Sequence, residues 1–363
     1  MQIFSQTRQW YMRNERPISS MALVGGFIID SLTLRRVDLL WENLWVGMHL
    51  VGVGVCILLI NFWHNELGHI RNSAQVHFWL LTALQFFFGG MLSVFLVFYF
   101  RSAELLVTWP FLLLLASAFI ANEALKEHYA RLTIQIGYYF LSIFAFTIFI
   151  VPVFIHRIGT NVFLFSGFVS LAVIGLFLWV LGVFANAQFR TKRKSVVALI
   201  LGIYIVINGL YFLNLIPPLP LALKDAGVYH NIVRGADGNY AVQAENIGWY
   251  GYFVPSDKFH VIAGDPVYAY TAIFSPAAFH TDIVHVWQKY DDAKDEWVTM
   301  HKNNLLISGG RDGGFRTYSF KESVEPGRWR VNVETANGQI IGRLRFKVIA
   351  VDEKYPVTTV IKK

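Results

Sequence analysis

Three short runs of this sequence carry side chains that could do chemistry. His64-Asn-Glu66-Leu-Gly-His69 combines two imidazoles and a carboxylate, the ligand types that hold zinc. Zinc proteases place their two histidines one helical turn apart, and this run does not, so its residues are not expected to share a metal. Asp291, Asp292, Asp295 and Glu296 offer oxygens of the kind that bind calcium. They fall between two alternating stretches, where a solvated hairpin loop accounts for them. His285, two residues before Trp287, has the chemistry to line a ligand site, although a histidine half-buried in a strand most often serves the structure. The sequence contains no Gly-x-Ser-x-Gly elbow, phosphate loop or dinucleotide fingerprint. Cys56 is the single cysteine, which rules out an internal disulfide and a multi-cysteine metal centre. No metal and no cofactor is expected, and the motifs identify no catalytic residue.

Charge gives two further candidates. Arg328, Arg330, Arg343, Arg345 and Lys347 alternate with apolar residues on either side of Asn337-Gly338. Asp30, Arg35, Arg36 and Asp38 cluster beside an otherwise uncharged stretch. What either set can do depends on the elements that carry it.

Those elements belong to two solvents. The 363-residue chain is 55% hydrophobic and only 15% charged, where a soluble domain carries about a quarter charged residues. The deficit is local. Residues 1–223 hold 14 Lys+Arg and 8 Asp+Glu, whereas residues 224–363 hold 17 and 16. Six runs free of Asp, Glu, Lys and Arg are long enough to cross a bilayer, which takes about 20 residues. They are Asn43–Asn65, Asn72–Phe100, Leu105–Asn122, Leu132–Ile155, Ile158–Phe189 and Ser195–Leu223. Trp and Tyr stand at many of their ends, as interfacial anchors do. Pro17–Leu34, interrupted only by Asp30, is a shorter seventh candidate; a re-entrant or interfacial segment is its alternative. Pairs at Gly25/Gly26, Gly89/Gly90 and Gly167/Gly175 read as sites of close helix packing.

Positive loops face the cytoplasm. The strongest is Arg190, Lys192, Arg193 and Lys194. Counting back from it with seven spans places ten Lys+Arg inside and four outside (Arg35, Arg36, Arg101, Arg157). The N-terminus is then cytoplasmic. The last span runs outward to Pro217, Pro218 and Pro220, where the helix is expected to stop. The remainder becomes periplasmic or extracellular. The overall charge of +7 has its reason in these loops, so no nucleic-acid partner is inferred; the bilayer is the partner that composition demands.

In the remainder the hydrophobic period changes to two. Residues 224–264 read as a connecting segment containing an aromatic run at 246–253, residues 265–352 as a β-sandwich of immunoglobulin-like or similar type, and 353–363 as a tail. Strands are expected over Asp265–Ser275, Asp282–Tyr290, Glu296–Ser308, Gly314–Lys321, Gly327–Thr335 and Gln339–Ala350. Asn337-Gly338 favours a two-residue type I′ turn with both φ angles positive. Ala336 then faces Gln339, Val333 faces Gly342, Val331 faces Leu344 and Trp329 faces Phe346. The opposite face sets Arg330 against Arg345, Arg328 against Lys347 and Arg343 against Asn332. Like charges placed opposite each other destabilise a sheet. Either Glu322, Glu325 or Glu334 offsets them, or an anionic lipid, glycan or protein partner does.

His285-Val-Trp287, Pro326-Gly-Arg-Trp-Arg-Val331, Gly338-Gln-Ile-Ile-Gly-Arg343 and Phe346-Lys-Val348 together resemble the bacterial domain-of-unknown-function family 2914. Gly25-Gly-Phe-Ile-Ile-Asp30 through Asp38 resembles its membrane-spanning members. The resemblance implies a bacterial inner-membrane protein with an extracytoplasmic domain and supplies no catalytic residue. Two functions fit. The first is a non-enzymatic, membrane-anchored β-sandwich that binds an envelope component or a partner protein. The second is a membrane-embedded enzyme or transporter for a lipid or lipid-linked glycan, with its polar site at Asp30, Arg35, Arg36 and Asp38.

Overall fold

The structure, a computed structural model, describes residues 21, 24–34, 39–66, 73–124, 131–184, 186–245, 257–276, 280–309 and 313–362. They form two compact units. One comprises residues 1–101, 109–154 and 161–215. The other comprises 102–108, 155–160 and 216–363.

The first unit is helical. α1 is the short apolar helix Val24–Thr33. Six helices follow that are long and apolar enough to cross a membrane: α2 (Leu40–Glu66), α3 (Ser73–Arg101), α4 (Leu105–Ala124), α5 (Leu132–Ile155), α6 (Thr160–Phe184) and α7 (Asn186–Phe212). They carry most of the six uncharged runs of the sequence, with charged residues added at their ends, such as Glu42 on α2 and Arg190–Lys194 on α7. At 1.5 Å per residue α1 rises about 15 Å, half of a hydrocarbon core. The described part of the expected seventh span is therefore too short to cross alone, and residues 17–20 and 22–23 lie outside the described residues.

Polar and small side chains join the helices. Asn61 on α2 donates to Gln135 on α5 at 2.8 Å, and the Tyr99 hydroxyl on α3 donates to the Ala145 carbonyl on α5 at 2.9 Å. In hydrocarbon such groups have no water to turn to, so they bond between helices. Of the expected glycine sites, Gly90 and Gly167 are packed: a Cβ on them would meet His49 Nε2 at 2.8 Å and the Tyr204 ring at 3.2 Å. Gly25, Gly26 and Gly175 have open space instead.

Two expectations about the last span are corrected. The basic run Arg190–Lys194 is not a loop but the second turn of α7; Arg and Lys are good helix formers, and nothing in the run breaks a helix. The helix also ends at Phe212, ahead of the prolines. Asn214 adopts φ +57°, with Leu215 N–H bonded to Leu210 O and Asn214 N–H to Tyr211 O. This is a Schellman cap, and an asparagine in the left-handed conformation is what closes it.

The second unit is built on three sheets. The central one orders β1 (Ala222–Tyr229), β5 (Val267–Phe274) and β8 (Phe315–Lys321). A five-stranded sheet orders β4 (Asp257–Val261), β10 (Ile340–Ala350), β9 (Gly327–Thr335), β6 (His280–Asp291) and β7 (Glu296–Ser308). The third orders β11 (Val357–Lys362), β3 (Tyr240–Glu245) and β2 (Asn231–Arg234). The pairings are antiparallel except β4 with β10. β5 explains the layering. Val267, Ala269 and Ile273 face the core shared with Trp287, Trp329, Val331, Val333 and Phe346. Tyr270 and Ala272 face a second core with Tyr229, Tyr240 and Val242. The stretch 224–264, read as a connecting segment, thus contributes strands β2 to β4 and most of β1, and the tail supplies β11. Their charged and glycine-broken sequence hides the period, because β11 is exposed on both faces.

The hairpin β9–β10 also departs from expectation at its turn. Gly338 has φ +82°, but Asn337 is not in the positive region. Gly338 N–H bonds to Thr335 O, and Thr335 N–H to Gln339 O. This is a type I turn followed by a left-handed glycine, a three-residue loop. A bulge between Ile340 and Gly342 then restores the register: Val333 faces Gly342, Val331 faces Leu344 and Trp329 faces Phe346, as expected. Pairing Ala336 with Gln339 was wrong by one residue at the turn alone.

Candidate functional site

The register sets Arg330 opposite Arg345 and Arg328 opposite Lys347, with Arg343 opposite Asn332. Their alternating neighbours Trp329, Val331, Leu344 and Phe346 are core residues. A strand turns successive side chains to opposite faces, so the five cations lie on the outer face of the five-stranded sheet. Lys258, paired with Lys347 across the parallel β4, adds a sixth to the same face. Reading the sequence strand by strand misses Lys258, because a parallel pairing from a distant segment leaves no local signal.

The partners of these cations divide the face. At one end Arg328 stacks 3.7 Å from the Tyr290 ring centre and bonds to Asp292 at 2.5 Å. Arg330 stacks 4.3 Å from Trp297 and donates to Gln288 at 2.6 Å. Arg343 donates to Asn332 at 2.6 Å. Arg345 lies 3.4 Å from Glu104, in the 102–108 segment of the same unit. Lys258 and Lys347 are exposed. Of the three acids expected to offset the ribbon, Glu325 pairs instead with Lys289 at 2.5 Å. Glu334 shares the face and accepts from Asn332 at 3.0 Å. The neutralising residues Asp292 and Glu104 come from a loop and a remote segment, which strand patterning does not reveal.

The electrostatics show the crowding. Burial, together with Arg343 and Arg345, pushes the Arg330 guanidinium down to about 10. Burial and Arg345 lower Arg343 as well, against the pull of Glu104 and Glu334. Burial raises the Glu334 carboxyl although Asn332, Lys302 and two arginines favour its charge. Arg330 stays ionised at neutral pH, and it and Arg343 hold their charges at a cost that an incoming anion would relieve.

His285 is not placed to meet a ligand. It is 0% exposed. Its Nδ1 lies 2.8 Å from Ser319 Oγ and its Nε2 3.1 Å from Thr271 Oγ1. The Trp287 indole donates to the same Ser319 oxygen at 3.0 Å. Burial pushes the imidazole down to about 4, so it is neutral at pH 7. A second polar group escaped the sequence reading. Glu245 accepts from His230 Nε2 at 3.0 Å, from the His260 backbone N–H at 2.6 Å and from His260 Nδ1 at 2.9 Å. Burial opposes its charge, but these hydrogen bonds outweigh it and hold the carboxyl below its ordinary value. It ties β3 to β4, which belong to different sheets.

Of the membrane-boundary cluster, Arg35, Arg36 and Asp38 lie outside the described residues. Asp30 accepts a hydrogen bond from Ser93 of α3 at 2.6 Å. His64, Glu66 and His69 have no described side chains. No group of three or more metal-ligating side chains converges among the described residues; Asp291 instead accepts from the Ala293 N–H at 3.0 Å, inside its own turn.

Six apolar helices of spanning length followed by a β region are compatible with a multi-pass membrane protein. Residues 280–348, from β6 into β10, match the family described as "Protein of unknown function (DUF2914)". That segment holds all five ribbon cations. No curated protein matches the chain. A solved structure of the alkylpurine DNA glycosylase AlkC from Pseudomonas fluorescens, bound to DNA containing an abasic site analog, is similar over 85% of this chain and 98% of that chain. Its identity is 8% and its TM-score 0.22, too slight to carry a shared fold.

Proposed function

We propose that this chain is a non-enzymatic, multi-pass protein of a bacterial inner membrane. Its β region faces the extracytoplasmic side and binds a phosphate-bearing anionic component of the envelope. The observation that carries the reading is the outer face of the five-stranded sheet. Six cations from three adjacent strands share it, with Arg330 and Arg343 crowded together. Planar guanidiniums and exposed ammonium groups in one array suit phosphate oxygens. The tether favours an envelope component near the bilayer: nine residues lie between Phe212 at the end of α7 and Ala222 at the start of β1, a reach of at most about 35 Å. The basic second turn of α7 is the cytoplasmic marker and sets the opposite end of that helix outside.

The test uses the full-length chain in phosphatidylcholine nanodiscs, probed with vesicles containing phosphatidylglycerol or phosphatidylcholine alone. Binding to the anionic vesicles is expected to weaken at least tenfold on raising salt from about 50 to 200 mM. The triple substitution Lys258→Gln, Arg345→Gln, Lys347→Gln should abolish it. Equal binding to both vesicles, or no effect of the triple substitution, refutes the reading.

A further inference from the structure

The cations of the basic face are not equally open to a ligand. Lys347 and Lys258, paired across β10 and β4, are exposed. Arg345, two residues before Lys347 on the same face of β10, is already engaged. Its Nη2 donates to Glu104 Oε1 at 3.4 Å, inside one compact unit, with the two side chains 28% and 17% exposed. Arg345 in turn stands opposite Arg330 and crowds it together with Arg343. Among the described residues, no other carboxylate is within ion-pair distance of these three guanidiniums.

The backbone fixes where Glu104 stands. Three residues, Ser102 to Glu104, lie between the end of α3 and the start of α4, and Ser102 is buried. The Glu104 carbonyl accepts the N–H groups of Val107 and Thr108 at 2.9 and 3.0 Å and the Thr108 hydroxyl at 3.1 Å. It thereby opens α4. With the main chain held, the carboxylate reaches Arg345 or leaves it by rotation about its own side-chain bonds.

A carboxylate presents a guanidinium with the same charged, paired oxygens that a phosphate does. Glu104 therefore stands on Arg345 where an oxygen of an anionic ligand would stand. Being part of the chain, it competes at a high effective concentration however dilute the ligand is. An arriving anion meets the two exposed lysines first and gains Arg345 only by turning Glu104 away. Resting on the anion-binding reading above, we propose that Glu104 is an autoinhibitory internal ligand of the basic face: its carboxylate holds Arg345 while the face is empty, and the phosphate oxygens of a headgroup bound by Lys258 and Lys347 displace it. One ion pair is exchanged for another, and no covalent bond changes.

The full-length chain in phosphatidylcholine nanodiscs, probed with vesicles containing phosphatidylglycerol or phosphatidylcholine alone, provides the test. Glu104→Gln should tighten binding to the phosphatidylglycerol vesicles about two- to fivefold, the worth of a part-exposed ion pair. Glutamine leaves the backbone cap of α4 in place. Glu104→Ala should tighten binding as well, which excludes an effect peculiar to the amide. Glu353→Gln removes the same charge from an exposed acid outside the basic face and should have much the smaller effect, because an exposed charge is screened. Wild-type protein that binds both vesicles equally overturns the anion-binding reading and this inference with it. Wild-type protein that prefers phosphatidylglycerol, with Glu104→Gln and Glu104→Ala unchanged or weaker, overturns this inference alone. A gain in Glu353→Gln equal to that in Glu104→Gln overturns it too, since net charge would then account for both.

Discussion

His285 should make the stability of the β region fall as the pH drops from 7.5 to 5. Burial between the sheets lowers its folded-state value to about 4, against 6.5 for a free imidazole. A histidine with a depressed folded value binds protons more readily once unfolded. Its contribution is therefore complete above about pH 6.5 and is lost as the pH falls toward 4. Integrating between those values gives about 2 kcal/mol at pH 5 relative to pH 7.5, a roughly 30-fold change in opening. Hydrogen exchange on the full-length chain reads this directly in peptides from β5, β6 and β8, after correction for the intrinsic pH dependence of exchange. His285→Gln removes the titration. It should cost about 1–3 kcal/mol at pH 7.5, through the hydroxyls of Thr271 and Ser319 that it leaves poorly paired, and that difference should shrink by about 2 kcal/mol at pH 5. Subtracting the variant from the wild type isolates this residue from His230, His260 and Glu245. Parallel pH profiles for the two proteins would refute the assignment of His285 as a buried, neutral strut.

Two further expectations rest on single contacts. Glu245→Gln should loosen β3 and β4 by about 1–3 kcal/mol at neutral pH, seen as faster exchange in both strands. Because hydrogen bonds depress the Glu245 carboxyl, its contribution stands above about pH 4.5 and disappears as the pH falls through the folded value; the variant should lose that acid step. Gly342→Ala would place a Cβ 2.2 Å from Leu223 Cδ2, and overpacking of this kind costs about 1–3 kcal/mol. Thermal unfolding followed in the β-sheet signal should move down, whereas Gly238→Ser, in an open turn, should strain only its own positive φ.

The basic ribbon shows how far patterning reaches. Its faces follow from two rules, alternation along a strand and an apolar interior, so Arg328, Arg330, Arg343, Arg345 and Lys347 were legible as one surface. The turn that joins the strands was not read correctly, yet the register survived, because the bulge at Ile341 moves the pairing by the one residue that the longer loop takes away. The hydrophobic faces set the register more strongly than the turn does: a slip of one residue would bury the arginines. Tyr290 and Trp297, which stack on Arg328 and Arg330, were out of reach. They come from a neighbouring hairpin, β6–β7, whose own register shifts at Trp287/Gln288.

The six apolar helices follow from composition alone, because exclusion from water acts on every residue in a run, whatever its neighbours in space. Partners across space are a different matter. That Ser93 meets Asp30, that Gly90 makes room for His49, that Glu245 gathers two histidines and that Lys258 extends the cationic face all depend on segments far apart in the chain. Hydrogen bonds and ion pairs act over a few ångströms and leave no periodic trace in the sequence. The five cations of the ribbon were visible from the start, whereas Lys258 and Glu245 were not. Which residues share a site was decided by packing.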